Sequence, residues 1–319
     1  MAICLLLFLI LGIQVIAGSS WIVKTLSLSD GSVDRIMFID ELTGWACAYF
    51  PGVLKTDNGG DTWVILYSNR ELERIFSVWF VTRQVGWAVG TSFVEKEAHP
   101  VILYTENAGR FWTIQKLLEE RWQLRDIYFI DEKYGWAVGG ANHDALILAT
   151  ADGGRHWEIQ HQGPDNSPLG HVRFADFQTG WAVGINIILH TSDGGQTWTP
   201  QRQSPDPWLN GLCVLDKDNL WATGGEGRLY RTINGGNNWS RATLPTEANK
   251  AFLWDIAFVN NNKGWVCGDK GVLLSTEDGG RTWRKVSTPV DDEMLRAIAT
   301  TKSRLFIAAD PNRILIKSQ

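Results

Sequence analysis

Four cysteines in 319 residues are too few and too scattered to form a disulfide framework. Cys4 lies in the apolar N-terminal run, which leaves Cys47, Cys213 and Cys267 far apart in the chain. Cys47 and Cys267 each stand two residues after a Trp, where sister segments carry Val89, Val138 and Val183. They read as small apolar core residues. Histidine is as sparse: the six His show no paired metal-ligand spacing, so no metal site is expected. No P-loop or dinucleotide fingerprint occurs, and no cofactor is expected. A basic excess is also missing. The chain has 30 Lys and Arg against 35 Asp and Glu, net −5, which argues against a general nucleic-acid binder.

Long apolar runs are absent after residue 16. The one run, Ala2 to Ile16, falls short of the roughly 20 residues that span a bilayer as a helix. Ala17, Gly18, Ser19 and Ser20 follow it, and Val15 and Ala17 suit the small-residue rule for cleavage. Residues 1–18 therefore read as a secretory signal peptide of an exported protein, with an uncleaved membrane anchor as the alternative. Residues 19–319 then form a single domain.

What the chain does hold is 17 Trp and 32 Gly. An octapeptide recurs six times, as TDNGGDTW at 56–63, TENAGRFW at 105–112, TADGGRHW at 150–157, TSDGGQTW at 191–198, TINGGNNW at 232–239 and TEDGGRTW at 276–283. Upstream of each copy lies a second motif: GWACA at 44–48, GWAVG at 86–90, 135–139 and 180–184, LWATG at 220–224 and GWVCG at 264–268. A repeat of 40 to 50 residues signals a propeller or array.

Each repeat reads as four short strands. The first precedes the GW segment (Ile36–Ile39, Ile75–Val81, Ile127–Ile130, Ile256–Val259), and GW opens the second. The third leads into the octapeptide, and its Trp starts the fourth. Gly-Gly supplies the positive φ of a tight turn. Side chains of the Asp57, Asn58, Asn107, Asp152, Asp193, Asn234 and Asp278 type cap its N–H groups. Residues Met294 to Ile316 read as three more strands without an octapeptide, the GW being replaced by Arg304-Leu305. The missing fourth strand is WIVKT, starting at Trp21. Pairing the first strand with the last three closes an all-β, seven-bladed propeller and hides its sheet edges.

The octapeptide is the Asp box, or bacterial neuraminidase repeat, and its carboxylates invite a catalytic reading. Asn107 and Asn234 replace the acid in two copies, and Asn cannot act as a general base, so these are turn residues. A sialidase-like enzyme or glycan-binding propeller remains the alternative. No Tyr stands beside a Glu in an assignable context, and Asp34-Arg35-Ile36-Met37 lacks the Pro of that family's start motif. Most loops also leave little room for a built pocket. The longer insertions, FVEKEAHP at 93–100 and QHQGPDNSPLG at 160–170, are candidate contact loops.

Arg35, Arg74, Arg125, Arg173 and Arg296 fall at or near the start of five innermost strands. Gathered at one mouth of the channel, they would form a basic patch on an acidic chain, able to pair carboxylates bidentately. The competing reading is local neutralisation by Asp34, Glu73, Asp126 and Asp255. The offsets before the GW glycine vary from 7 residues for Arg173 to 12 for Arg74, so one strict ring is not expected.

An apolar leader followed by seven blades built on GWAVG and T-x-[DN]-G-G-x-x-W resembles the photosystem II stability/assembly factor family. The resemblance covers about residues 19–317. It implies a lumenal or periplasmic propeller that helps assemble reaction-centre subunits through an arginine patch, for which the five arginines above are the candidates. A non-enzymatic, monomeric scaffold holding a membrane-protein or other protein partner is expected. Thirteen of the 17 Trp belong to the repeats; Trp79, Trp122, Trp208 and Trp254 are left over, on or just before innermost strands.

Overall fold

A computed structural model describes residues 13–15, 20–28, 31–48, 52–67, 72–94, 97–117, 122–141, 144–163, 167–203 and 208–319. Seven antiparallel sheets follow one another around a ring. The first strand of each blade is innermost: Val33–Phe38, Leu72–Phe80, Trp122–Phe129, Leu169–Phe174, Leu209–Val214, Leu253–Phe258 and Leu295–Thr300. Each contacts the first strand of the next blade, and the seventh returns to the first. Trp21–Thr25 pairs with Arg313–Ser318, so the N-terminal strand completes the seventh blade as expected. Ile13–Val15 adds a short strand outside it. The proposed cleavage site at Ala17 or Gly18 lies outside the described residues.

The core consists of seven slabs, one between each pair of blades. Stacked rings join many of them. Trp45 lies on Phe80 at 3.8 Å, Trp87 on Phe129 at 3.5 Å and Trp136 on Phe174 at 3.6 Å. Such a pair contributes roughly 0.5–1.5 kcal/mol beyond its buried area. The same Phe rings cover the GW glycines: a Cβ on Gly86 would meet the Phe80 ring at 2.4 Å. In the seventh blade the register aligns Leu305-Phe306 with GW, because Ala299 faces Phe306 as Met37 faces Trp45. Phe306 duly stacks on Phe38 at 4.0 Å. The pair Arg304-Leu305 read from the sequence is thus one residue out of register; the aromatic ring, not the position next to Arg304, fills the Trp slot.

The octapeptides are turns. Thr150 Oγ1 accepts the Gly154 N–H at 2.9 Å, and Asp152 Oδ1 accepts the His156 N–H at 2.9 Å. Asn107 and Asn234 accept the equivalent N–H groups of Phe111 and Asn238 at 2.8 and 3.0 Å. In the first copy Asn58 makes this bond to Thr62, whereas Asp57 pairs with Lys55 on the surface. Asp57 is therefore not a turn cap: it sits one residue before the capping position. Hydrogen bonds from His156 hold the Asp152 carboxyl down at about 2, and those from Thr197 hold Asp193 at about 2.

Candidate functional site

Every innermost strand bulges near its start, once in six blades and twice in the second. The bulge explains the last glycine of GWAVG. A Cβ on Gly139 would meet the Gln123 carbonyl at 1.9 Å, and one on Gly90 the Arg74 carbonyl at 2.2 Å. At the bulge shared by all seven blades the extra residues are Asp34, Phe76, Arg125, Gly170, Asn210, Trp254 and Arg296, and all seven line a cavity of about 330 Å³ at one mouth of the channel. Arg35, Arg74, His171, Trp208 and Phe252 complete its lining.

The next residue in each strand forms the floor: Arg35, Ser77, Asp126, His171, Gly211, Asp255 and Ala297. Arg35 reaches from the first blade to donate to His171 Nε2 in the fourth, and lies 4.0 Å from Asp255 in the sixth. A guanidinium only donates, so Nε2 accepts and the His171 proton sits on Nδ1, 3.6 Å from Asp126. Asp126 also accepts from Ser77 Oγ at 2.7 Å, the Val172 N–H at 3.2 Å and Arg173 Nη1 at 2.6 Å. Burial opposes the Asp126 charge, but Arg173, Arg35 and the Ser77 hydrogen bond outweigh it and hold the carboxyl well below the usual range. Burial, reinforced by Arg35, pushes His171 far below its ordinary value, so the ring is neutral. Side chains crossing the channel at this level close it beneath the mouth.

The five sequence-selected arginines therefore divide. Arg173 lies below the floor, tied to Asp126 and packed 5.0 Å from the Trp79 ring; it is not part of the mouth. Its register differs because it faces Trp181, two residues past the floor position. Arg35 is the floor strut. Three stand in the mouth itself. Arg74 pairs with Asp34 at 2.7 Å, and Arg296 grips Asp310 through two 2.8 Å bonds. Arg125 bonds the Gln123 amide oxygen at 2.9 Å and, among the described residues, has no carboxylate in ion-pair contact. Burial and the like charge of Arg74 lower its pKa. Arg74 and Arg125 both pack over Phe76, at 4.8 and 5.0 Å from its centroid. Local neutralisation thus holds for Arg74, Arg173 and Arg296, and the Glu73 side chain lies outside the description.

Blades five and six give the mouth a different wall. Trp208 is 41% exposed, Trp254 stacks on Phe252 at 4.3 Å, and Trp254 Nε1 donates to Asp269 at 2.5 Å. Of the four leftover tryptophans, two are here; Trp79 lies below the floor and Trp122 is buried between blades. Asp126 stands out in the sequence only as a neutralising neighbour of the arginines; His171, Phe252 and Asn210 do not stand out at all. A fixed offset marks their level: Arg35, Ser77, Asp126, His171, Gly211 and Asp255 each stand nine residues before the GW-position residue. A larger groove of about 820 Å³ opens between blades three and four, but its Asp152 and Asp193 carboxylates are committed to their own turns.

Residues 105–242 and 237–319, more than half of the chain, match the family described as photosynthesis system II assembly factor YCF48. The chain belongs to that family. It shares its fold with a solved YCF48 bound to a D1 peptide (22% identity, TM-score 0.72, 97% of this chain and 100% of that one). YCF48 from Cyanidioschyzon merolae is similar too (18%, TM-score 0.70, 94% and 98%). A GH74 enzyme of Niastella koreensis has a comparable propeller at 13% identity and TM-score 0.72, but this chain spans 53% of its length. These identities carry the fold and nothing further. No curated protein matches the chain. Membership in the YCF48 family makes it an assembly-factor propeller of the neuraminidase-repeat type. Among the described residues no helix is long and apolar enough to cross a membrane.

Proposed function

We propose that this propeller is a non-enzymatic, exported scaffold that holds a segment of a membrane-protein partner at the channel mouth during assembly. The observation that carries the reading is Arg125, a half-buried guanidinium in a cavity closed from below, with its charge unspent among the described residues. A guanidinium so placed binds a carboxylate without breaking an internal ion pair. Arg74 and Arg296 flank it with charges fixed in place. The D1 peptide held by a YCF48 of the same fold makes a reaction-centre segment the first partner to test. Export to the periplasm, the thylakoid lumen or the cell exterior, and action as a monomer, belong to the same reading.

Titration of the full chain with a D1 peptide tests it. Arg125→Glu should weaken binding at least tenfold with an unchanged melting temperature. Gly170→Leu should do the same by filling the cavity, since a Cβ at Gly170 meets nothing closer than 3.5 Å. Binding unaffected by both variants would overturn the proposal.

A further inference from the structure

The mouth has two unlike halves. Blades seven, two and three contribute Arg296, Arg74 and Arg125, with Arg35 of blade one on the floor beneath them. Across the ring, blades five and six contribute Trp208, Phe252 and Trp254. In a ring of seven, the basic arc is centred between blades one and two, and blade five lies opposite. Gly170 and Asn210 sit at the bulge level on the other side of the cavity from Asp34 and Phe76, with little side-chain bulk.

We infer that the mouth selects an extended peptide in which an acidic residue adjoins an aromatic one, the carboxylate entering the arginine arc and the ring lying against Trp208 and Trp254. This rests on the partner-binding reading above and names the ligand chemistry of that site. Successive side chains of an extended chain point in opposite directions, so neighbouring residues present their side chains to opposite walls. A cavity of about 330 Å³ lies at the small end for ligand sites and suits the ends of two side chains rather than a folded segment. The floor permits no threading, because Arg35 bonds across the channel to His171. Trp254 is held by Phe252 and Asp269, so its face is fixed in advance; Trp208, 41% exposed, offers the second ring face. Aromatic rings pair with such faces in offset or edge-on geometry.

The test uses the full chain and four amidated hexapeptides. They differ only in carrying Phe or Ala at one position and Asp or Asn at the next, so no terminal carboxylate contributes. Binding is read by calorimetry. The peptide with Phe and Asp should bind at least tenfold more tightly than either singly changed peptide. Trp208→Ala should make the Phe and Ala peptides alike while preserving the preference for Asp over Asn. Arg125→Glu should abolish that preference and leave the Phe effect. Equal binding of the Phe and Ala peptides, with the Asp preference intact and sensitive to Arg125→Glu, would overturn this inference and leave the scaffold reading standing. No measurable binding of any peptide, or binding indifferent to Arg125→Glu and Gly170→Leu, would overturn both. The four-peptide comparison is read first on the unsubstituted protein, and each variant is compared only if its melting temperature matches the parent's.

Discussion

Arg35, rooted in the first blade, donates to the ring of His171 in the fourth, and this one contact closes the channel of the propeller. It also sets Arg35 apart from the arginines around it. Its charge is placed between His171 and Asp255, and Asp126 lies just beyond. Removing it leaves those buried carboxylates less compensated, and breaking a buried pair by deleting one partner costs about 3–5 kcal/mol. Arg35→Ala should therefore lower the unfolding free energy measured in urea strongly, by about 3 kcal/mol. Arg125→Ala should stay within about 0.5 kcal/mol of the parent, since among the described residues Arg125 has no ion-pair partner. Equal losses from the two substitutions would contradict the division of roles.

The same contact makes stability depend on pH. His171 is held neutral by burial and by Arg35, far below the ordinary value of about 6.5. The unfolded chain takes up a proton below that value and the folded chain does not. Stability therefore falls as pH drops below about 6.5, by at most about 1.4 kcal/mol per unit. His190, lowered by burial, adds in the same direction. His171→Gln should shallow the slope between pH 7.5 and 5.5 in urea titrations without flattening it. Asp126 acts in a separate window: its depressed carboxyl stabilises the fold above about pH 4, and that contribution is lost only as pH falls further.

The GWAVG glycine offers a third test. A methyl group on Gly139 would sit 1.9 Å from the Gln123 carbonyl, and backbone cannot swing aside as a side-chain tip can. Gly139→Ala should cost about 1–3 kcal/mol, the usual range for overpacking. It should also weaken ligand binding, because the same bulge aims Arg125 into the mouth. Ala48 and Ala309 occupy the equivalent site in the first and seventh blades, where the bulge tolerates a methyl group.

Blade number, strand order and ring closure were legible because each rests on a repeated signal. Two linked motifs recur six times, and Trp21 supplies the strand that the last blade lacks. The site was only half legible. Residue type alone picks out the arginines, whereas the structure groups residues by register. The extra residue in the third blade's innermost strand moves Arg125 into the mouth, while Arg173, two positions past the floor, lies beneath it. Counting back from the GW motif would have brought Asp126, His171 and Asp255 together. The Phe that stands six residues before each of five GW glycines was an equally regular signal for the stacked rings between blades. What no count could supply is which guanidinium lacks a carboxylate among the described residues, because Asp34 and Asp126 reach theirs across a blade boundary.

Two tryptophans outside the GW motifs should respond in opposite ways. Trp21 is 4% exposed, donates Nε1 to the Ser287 carbonyl at 3.0 Å and packs with Trp265 between blades six and seven. Its strand holds the ring shut through five paired residues, Trp21 to Thr25 against Lys317 to Arg313. Trp21→Ala removes both the packing and the anchor of that strand, and large-to-small changes of this kind cost about 3–5 kcal/mol. The melting temperature should fall sharply and amides of the seventh blade should exchange faster than those of blades three and four. Trp208→Ala, at an exposed position of the mouth, should leave both readings near the parent and change ligand affinity alone. A seventh blade as protected as its neighbours in Trp21→Ala would mean that the N-terminal strand is not what closes the ring.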